Sequence, residues 1–83
     1  MDNKVLTLVA MTPEDRAIDC EVTSVSLPGL SGRFQVLVDH APLIAALGDG
    51  EVIYETDDGQ KSLKIRSGFV EVKDNRVSLC VEL

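Results

Sequence analysis

Apolar residues recur at every second position through most of this 83-residue chain, the period at which neighbouring strand side chains point to opposite faces. Val5, Thr7 and Val9 alternate with Leu6, Leu8 and Ala10. A strand apolar on both faces is expected to lie centrally, between two layers. Thr12-Pro13-Glu14-Asp15 follows as a polar turn, with proline suited to its second position. Ile18, Cys20 and Val22 then share one face of the next strand, and Asp19, Glu21 and Thr23 the other. At Val25 and Leu27 the apolar set is one residue out of phase. Because a one-residue slip exchanges faces, a bulge or a change of sheet is predicted near Thr23-Ser24.

The stretch Ser26 to Leu47 concentrates the turn chemistry. Pro28-Gly29 and Ser31-Gly32 supply two reversals, since proline fixes φ and glycine accepts positive φ. Phe34, Val36 and Val38 form the apolar face of the strand that follows, alternating with Gln35, Leu37 and Asp39. Asp39-His40-Ala41-Pro42 interrupts it, because Pro42 has no amide hydrogen and biases Ala41 toward extended geometry. Leu43 to Leu47 is apolar again, and Gly48-Asp49-Gly50 turns the chain into a strand through Val52, Tyr54 and Thr56. Asp57-Asp58-Gly59-Gln60 is the strongest hairpin signal. Leu63 and Ile65 point inward on the return strand, with Lys64 and Arg66 outward. Ser67-Gly68 predicts a kink before Phe69, Val70 and Val72, and Asp74-Asn75 leads into a last strand through Val77, Leu79, Val81 and Leu83. No segment has a helical period. The pattern predicts one all-β domain over residues 1–83, a sandwich or barrel of roughly eight to ten short strands.

Composition narrows the function classes. With 45% apolar and 27% charged residues, the chain is foldable, and with only Phe34, Tyr54 and Phe69 as aromatics, Val, Leu and Ile must build its core. A net charge of −6 disfavours nucleic acid, whose phosphates call for Lys and Arg, and disfavours a direct lipid anchor on an anionic surface. The charge is uneven: residues 1–59 carry −8 and residues 60–83 carry +2, an asymmetry able to steer a protein partner. No apolar run approaches the ~20 residues of a membrane span, and no signal-peptide pattern opens the chain. Cys20 and Cys80 lack metal-type spacing and sit in alternating apolar runs, so both are expected to be buried thiols.

Candidate chemistry is sparse. His40, the single histidine, follows Asp39 directly, and consecutive residues on an extended chain project apart, which is poor geometry for a dyad. A local structural role or a partner contact suits it better than general-base work. One histidine and two distant cysteines do not make a metal site, and the glycines never form a phosphate-cradling loop ahead of a helix. Glu14-Asp15 and Asp57-Asp58 lie in turns, where solvated carboxylates are the default. No catalytic, cofactor-binding or metal-binding residues are expected.

The segment LPGLSGRFQVLVDHAPLIAALGDGEV resembles the N-terminal domain of the epsilon subunit of F-type rotary ATP synthases, called delta in mitochondria. VLTLVAMTPEDRAIDCEVTSVSLPG is similar to that family's first two strands, and IRSGFVEVKDNRVSLCVEL to its closing hairpin. The resemblance implies a flattened two-sheet β-sandwich that does no chemistry. It implies a central-stalk rotor subunit joining gamma to the polar loops of the c-ring, peripheral at the cytoplasmic face of a bacterial inner membrane. It also implies contacts: Leu30, Ser31, Gly32 and Arg33 toward the c-ring; Asp39, His40, Ala41 and Pro42 at the junction with gamma and the ring; Met11, Thr12, Pro13 and Glu14 toward gamma. Many family members carry Glu at the position of Ser31 and Gly at that of Gln35, while Arg33 places a cation in the ring-facing turn. Family members usually continue into a helical hairpin that restrains hydrolysis. The sequence ends at Leu83, so hairpin inhibition is not expected of it. The alternative from another class is a free-standing β-sandwich that binds a small ligand, with Tyr54 as its exposed aromatic platform; an enzyme would have to rest on His40.

Overall fold

The computed structural model describes residues 4–83, which form nine strands and no helix among the described residues. They are β1 (Leu6–Met11), β2 (Arg16–Val22), β3 (Ser24–Gly29), β4 (Gly32–Leu37), β5 (Leu43–Leu47), β6 (Gly50–Thr56), β7 (Gly59–Ile65), β8 (Ser67–Lys73) and β9 (Arg76–Glu82). One hydrogen-bonded path, β2-β1-β9-β8-β5-β3-β6-β7 with β4 on the other edge of β3, curls over into a two-layered sandwich. Its extents are 39 × 25 × 20 Å.

Local chemistry sets the reversals. The β8–β9 turn consists of Asp74 and Asn75 at φ 52° and 59°, the left-handed pair that matches strand twist and that Asp and Asn tolerate best. Asp57-Asp58 links β6 to β7, with Gly59 at φ +111° taking up the closing geometry. At Thr23 the chain leaves its partner: β2 pairs with β1, whereas β3 pairs with β6 and β4. The phase slip between Val22 and Val25 is thus a change of layer. The two layers meet where Gly29 of β3 pairs with Leu47 of β5.

β1 has a strand on each edge, running antiparallel to β2 and parallel to β9, and Leu6, Leu8, Val9 and Ala10 are buried, but it is covered by a second layer on one face only: Val5, ahead of the strand, and Met11, at its end, are each 44% exposed. Register places inward residues in rows across four adjacent strands. Leu43, Val72, Val77 and Leu8 form one row; Ala45, Val70, Leu79 and Ala10 form the next. Against them pack Val25 and Leu27 from β3, Val36 from β4, Val52 and Tyr54 from β6, and Ile65 from β7. No polar or charged side chain is buried among the described residues, so the core is held by apolar burial and packing alone.

Five residues sit where the sequence reading does not put them. Val38 is 36% exposed in the turn beyond β4. Leu37 is the last residue with a cross-strand partner, Ser24, and the next residue of the opposing strand, Thr23, gives its amide to Glu55. Cys20 is half-buried and Cys80 exposed, both as free thiols. Burial pushes the Cys20 thiol above its ordinary pKa, against the Lys61 charge that lowers it. Cys80 shares the outward phase of Ser78 and Glu82. Tyr54 is only 9% exposed, and burial raises its phenol above the usual value, so it offers no surface platform. Leu83, beyond the end of β9, is 57% exposed.

Candidate functional site

The outer face of β1, β9, β8 and β5 carries a row of its own. Met11 pairs with Cys80, Cys80 with Phe69 and Phe69 with Ala46, so four side chains of adjacent strands stand side by side on the solvent side. Leu30 reaches the end of this row from the β3–β4 turn. Its amide donates to the Ala46 carbonyl at 3.1 Å, and Gly48 donates to the Pro28 carbonyl at 2.8 Å. Gly48 leaves room for it, since a Cβ there would stand 3.0 Å from a Leu30 methyl.

These residues, with Thr12, Pro13, Val81 and the rim groups Asp49, Arg66 and Glu82, line a mostly apolar groove of about 860 Å³. Leu30 is 72%, Phe69 63% and Met11 44% exposed, a concentration of large apolar surface that marks an interaction face. The Met11–Glu14 side is stiffened by its turn: Thr12 donates its amide to the Asp15 carbonyl at 2.7 Å, and Asp15 donates its own amide to the Thr12 hydroxyl at 3.0 Å.

The sequence-derived contact residues divide between two places. Met11, Thr12, Pro13 and Leu30 converge on the groove, with Glu14 solvated in the neighbouring turn. Ser31 and Gly32 form the exposed tip beside Leu30. The Arg33 guanidinium turns back, donating from Nη1 to the Glu51 carbonyl at 2.9 Å and also from Nη2, which ties β4 to the start of β6 while leaving the rest of the cation in solvent. Asp39, His40, Ala41 and Pro42 lie at the other end of the sheet, where β5 begins and β8 turns into β9.

At that end the Asp39 carboxylate faces Asn75 and Lys4, not His40. Asn75 Nδ2 donates to it at 3.0 Å and Lys4 Nζ at 3.2 Å. Hydrogen bonding by Asn75, then by Lys4, holds the carboxyl below its ordinary pKa. His40 closes its own loop: its amide donates to the Leu37 carbonyl at 3.1 Å, and Nδ1 to the Ala41 carbonyl at 2.7 Å. The carbonyl can only accept, so Nδ1 carries a proton. The imidazole is a loop brace. Among the described residues no group of three or more His, Cys, Asp or Glu is placed to hold a metal ion, and no helix is long and apolar enough to cross a membrane.

Phe69, Cys80 and Ala46, the middle of the groove, were not singled out from the sequence. The signal was present in the phase: Phe69 alternates with Val70 and Val72 and must face away from them.

The model of the ATP synthase delta/epsilon chain β-sandwich domain matches residues 5–83. The ATP synthase epsilon chain of Chlorobium limicola is 42% identical over 81 residues, covering 96% of this chain and 92% of that protein. That of Leptospira borgpetersenii is 38% identical over 77 residues, and the match takes in 93% of this chain but 61% of the relative. Among solved structures, a chain of the Euglena gracilis mitochondrial ATP synthase assembly of OSCP, F1 and c-ring superposes with a TM-score of 0.85 at 20% identity, over 93% of this chain and 50% of that one. A chain from the central stalk and c-ring of the Tetrahymena thermophila enzyme gives a TM-score of 0.80 at 12% identity, over 100% and 67%. At such identities these two superpositions speak for the fold.

Proposed function

The chain belongs to the ATP synthase delta/epsilon family, as its β-sandwich domain, and from that premise we propose that it is a rotor subunit joining the gamma subunit to the c-ring of an F-type ATP synthase. As an epsilon-type chain it is a non-catalytic member of the complex. It is placed at the cytoplasmic face of a bacterial inner membrane, peripheral, with the driving ion a proton or sodium. The observation that carries the reading is the uncovered row Met11, Cys80, Phe69 and Ala46 with Leu30 at its end. A sheet face with such anchors calls for a protein partner.

The work required is mechanical. Torque passes through a module only if the module does not deform, and a close-packed sandwich with no charged side chain buried among the described residues meets that need. The groove supplies one docking surface, assigned to gamma. The exposed tip Leu30-Ser31-Gly32 with the solvated part of Arg33 supplies a second, assigned to the polar loops of the c-ring, Leu30 standing where the two surfaces meet. The Asp39–Pro42 loop, at the far end, is a third contact at the gamma–ring junction.

Pulling on the chain in its own cell extract is expected to recover gamma and the catalytic hexamer in stoichiometric amounts. Phe69→Glu places a charge in the middle of the apolar row and is expected to weaken that recovery by about thirtyfold or more, the scale of losing a central anchor. Arg33→Glu is expected to leave gamma binding intact while weakening capture of detergent-solubilised c-ring. Recovery of nothing stoichiometric, or full gamma binding by Phe69→Glu, overturns the assignment of the groove.

A further inference from the structure

We propose that Asn75, in the β8–β9 turn, is a positioning residue for the β4–β5 loop: with Lys4 it forms a clasp on Asp39 that fixes the loop to the body of the sandwich. The residues of this clasp come from three separate parts of the chain. Asp39 is 36 positions from Asn75 and 35 from Lys4.

The loop needs an external tie. Between the end of β4 at Leu37 and the start of β5 at Leu43 it crosses from one layer to the other without a ladder of its own. Its internal hydrogen bonds are the two made by His40. Beyond the His40 amide's bond back to the end of β4, the hydrogen bonds that tie it to the rest of the described chain run through Asp39. Asp39 itself stands at φ 66°, the left-handed region that a non-glycine residue occupies at a cost.

Asn75 meets Asp39 from both sides. Its Oδ1 accepts the Asp39 amide at 2.6 Å, and its Nδ2 donates to Asp39 Oδ1 at 3.0 Å. Lys4 occupies the remaining carboxylate oxygen at 3.2 Å. A side chain with one acceptor and one donor group at its tip is required for this reciprocal pair, and asparagine has both. The backbone of Asn75 is fixed independently: it sits at φ 59° in the hairpin turn, and its carbonyl accepts the Thr7 amide at 2.9 Å. Asn75 thus joins the loop to the hairpin of β8 and β9 and to the start of β1, and loop and sheet move as one body.

The two duties of Asn75 separate by substitution. Asn75→Gly keeps the left-handed turn and removes the side chain. Asn75→Asp also tolerates the turn, keeps an acceptor for the Asp39 amide, and sets carboxylate against carboxylate. The His40 amide is the readout, because its acceptor is the Leu37 carbonyl and not Asn75. Hydrogen exchange of that amide is expected to be about tenfold faster in either variant, the scale of losing one or two modest hydrogen bonds. Amides of Val70 and Leu79 report global stability in the same experiment. Asp39→Asn combined with Asn75→Asp restores a donor facing an acceptor and is expected to return His40 exchange to near its original rate. Unchanged His40 exchange in both single variants overturns the clasp. So does failure of the double exchange to restore protection while Val70 and Leu79 stay protected.

The consequence for partner binding rests on the rotor reading above. If it holds, Asn75→Gly weakens affinity for purified gamma or c-ring in proportion to the loop's loss of order. Faster exchange with full affinity leaves the clasp in place and removes the Asp39–Pro42 loop from the contact surface, so the two ideas fail separately.

Discussion

Val70 and Phe69 are neighbours in β8, yet Val70 is 1% and Phe69 63% exposed. The contrast extends across the sheet. The inner row Ala45, Val70, Leu79 and Ala10 faces the second layer, and the outer row Ala46, Phe69, Cys80 and Met11, one residue away on each strand, faces away from it, with Phe69, Cys80 and Met11 exposed among the described residues. Both rows are made of residues with similar affinity for an apolar environment. The difference is which of them the chain itself buries, so inner apolar residues are a statement about folding and outer ones about company.

The comparison breaks most easily at its inner row. Leu79, 1% exposed, belongs to the core cluster, and truncating it leaves a cavity the packed sheets fill only in part. Leu79→Ala is expected to destabilise the fold by about 3 kcal/mol, read as a lower urea midpoint. In a domain of this size that is a large part of the total. A loss below about 1 kcal/mol would contradict the register that puts Leu79 inward.

Gly68 of β8 pairs with Val81 of β9. A Cβ there would stand 2.8 Å from Val81 Cγ1 and 2.9 Å from Val81 Cα, and it also meets the Cys80 carbonyl oxygen. Backbone cannot move aside as a flexible side chain does. Gly68→Ala is therefore expected to cost about 1–3 kcal/mol by prising β8 from β9. A variant melting with the parent would mean the strands have more room than the geometry gives them.

Much of the inner row was legible in the sequence, because alternation is local and each strand declares its own phase: Ile18, Val22, Leu63, Ile65, Val77 and Leu79 point where their spacing put them. The change of layer at Thr23 was legible for the same reason. Pairing was not. Nothing near β1 indicates that it lies parallel to β9, the last strand, since that contact joins residues roughly 70 positions apart. The outer row is a product of that pairing: Met11, Cys80, Phe69 and Ala46 are scattered until register aligns them. Cys80 shows the limit from another side, for its phase pointed outward while the ordinary habit of cysteine pointed inward, and phase decided. The Asp39–Asn75 pair lay beyond reach for the same reason as the outer row.

The outer row is sharpened by a variant that leaves folding alone. Phe69→Ser removes an exposed ring, and its effect on the urea midpoint is expected to stay within about 0.5 kcal/mol, an order below that of Leu79→Ala. Its effect on capture of gamma is expected to follow Phe69→Glu in direction. A Phe69→Ser chain that unfolds as readily as Leu79→Ala would show that the ring is core after all, and that the exposed face is not free for a partner.

The smallest expected effect is electrostatic and belongs to the end of the sheet away from the groove. The Asn75 amide first, and the Lys4 ammonium after it, favour the charged form of Asp39, so its carboxyl titrates below the ordinary 3.8 in the folded chain. A carboxyl depressed by folding contributes stability that is fully present above its unfolded value and is lost as pH falls through the folded one. The difference in urea midpoint between the parent and Asp39→Ala is therefore expected at neutral pH and should shrink once the pH drops below 3.8. Asn75→Gly and Lys4→Ala should each narrow it, since each removes a group that favours the charged carboxylate. Because Lys4 and Asp39 are both more than half exposed, water and salt screen the pair, and the difference stays well under that of any inner-row truncation. A gap that persists unchanged into acid would mean Asp39 supports the loop by its shape and backbone bond alone, with its charge idle.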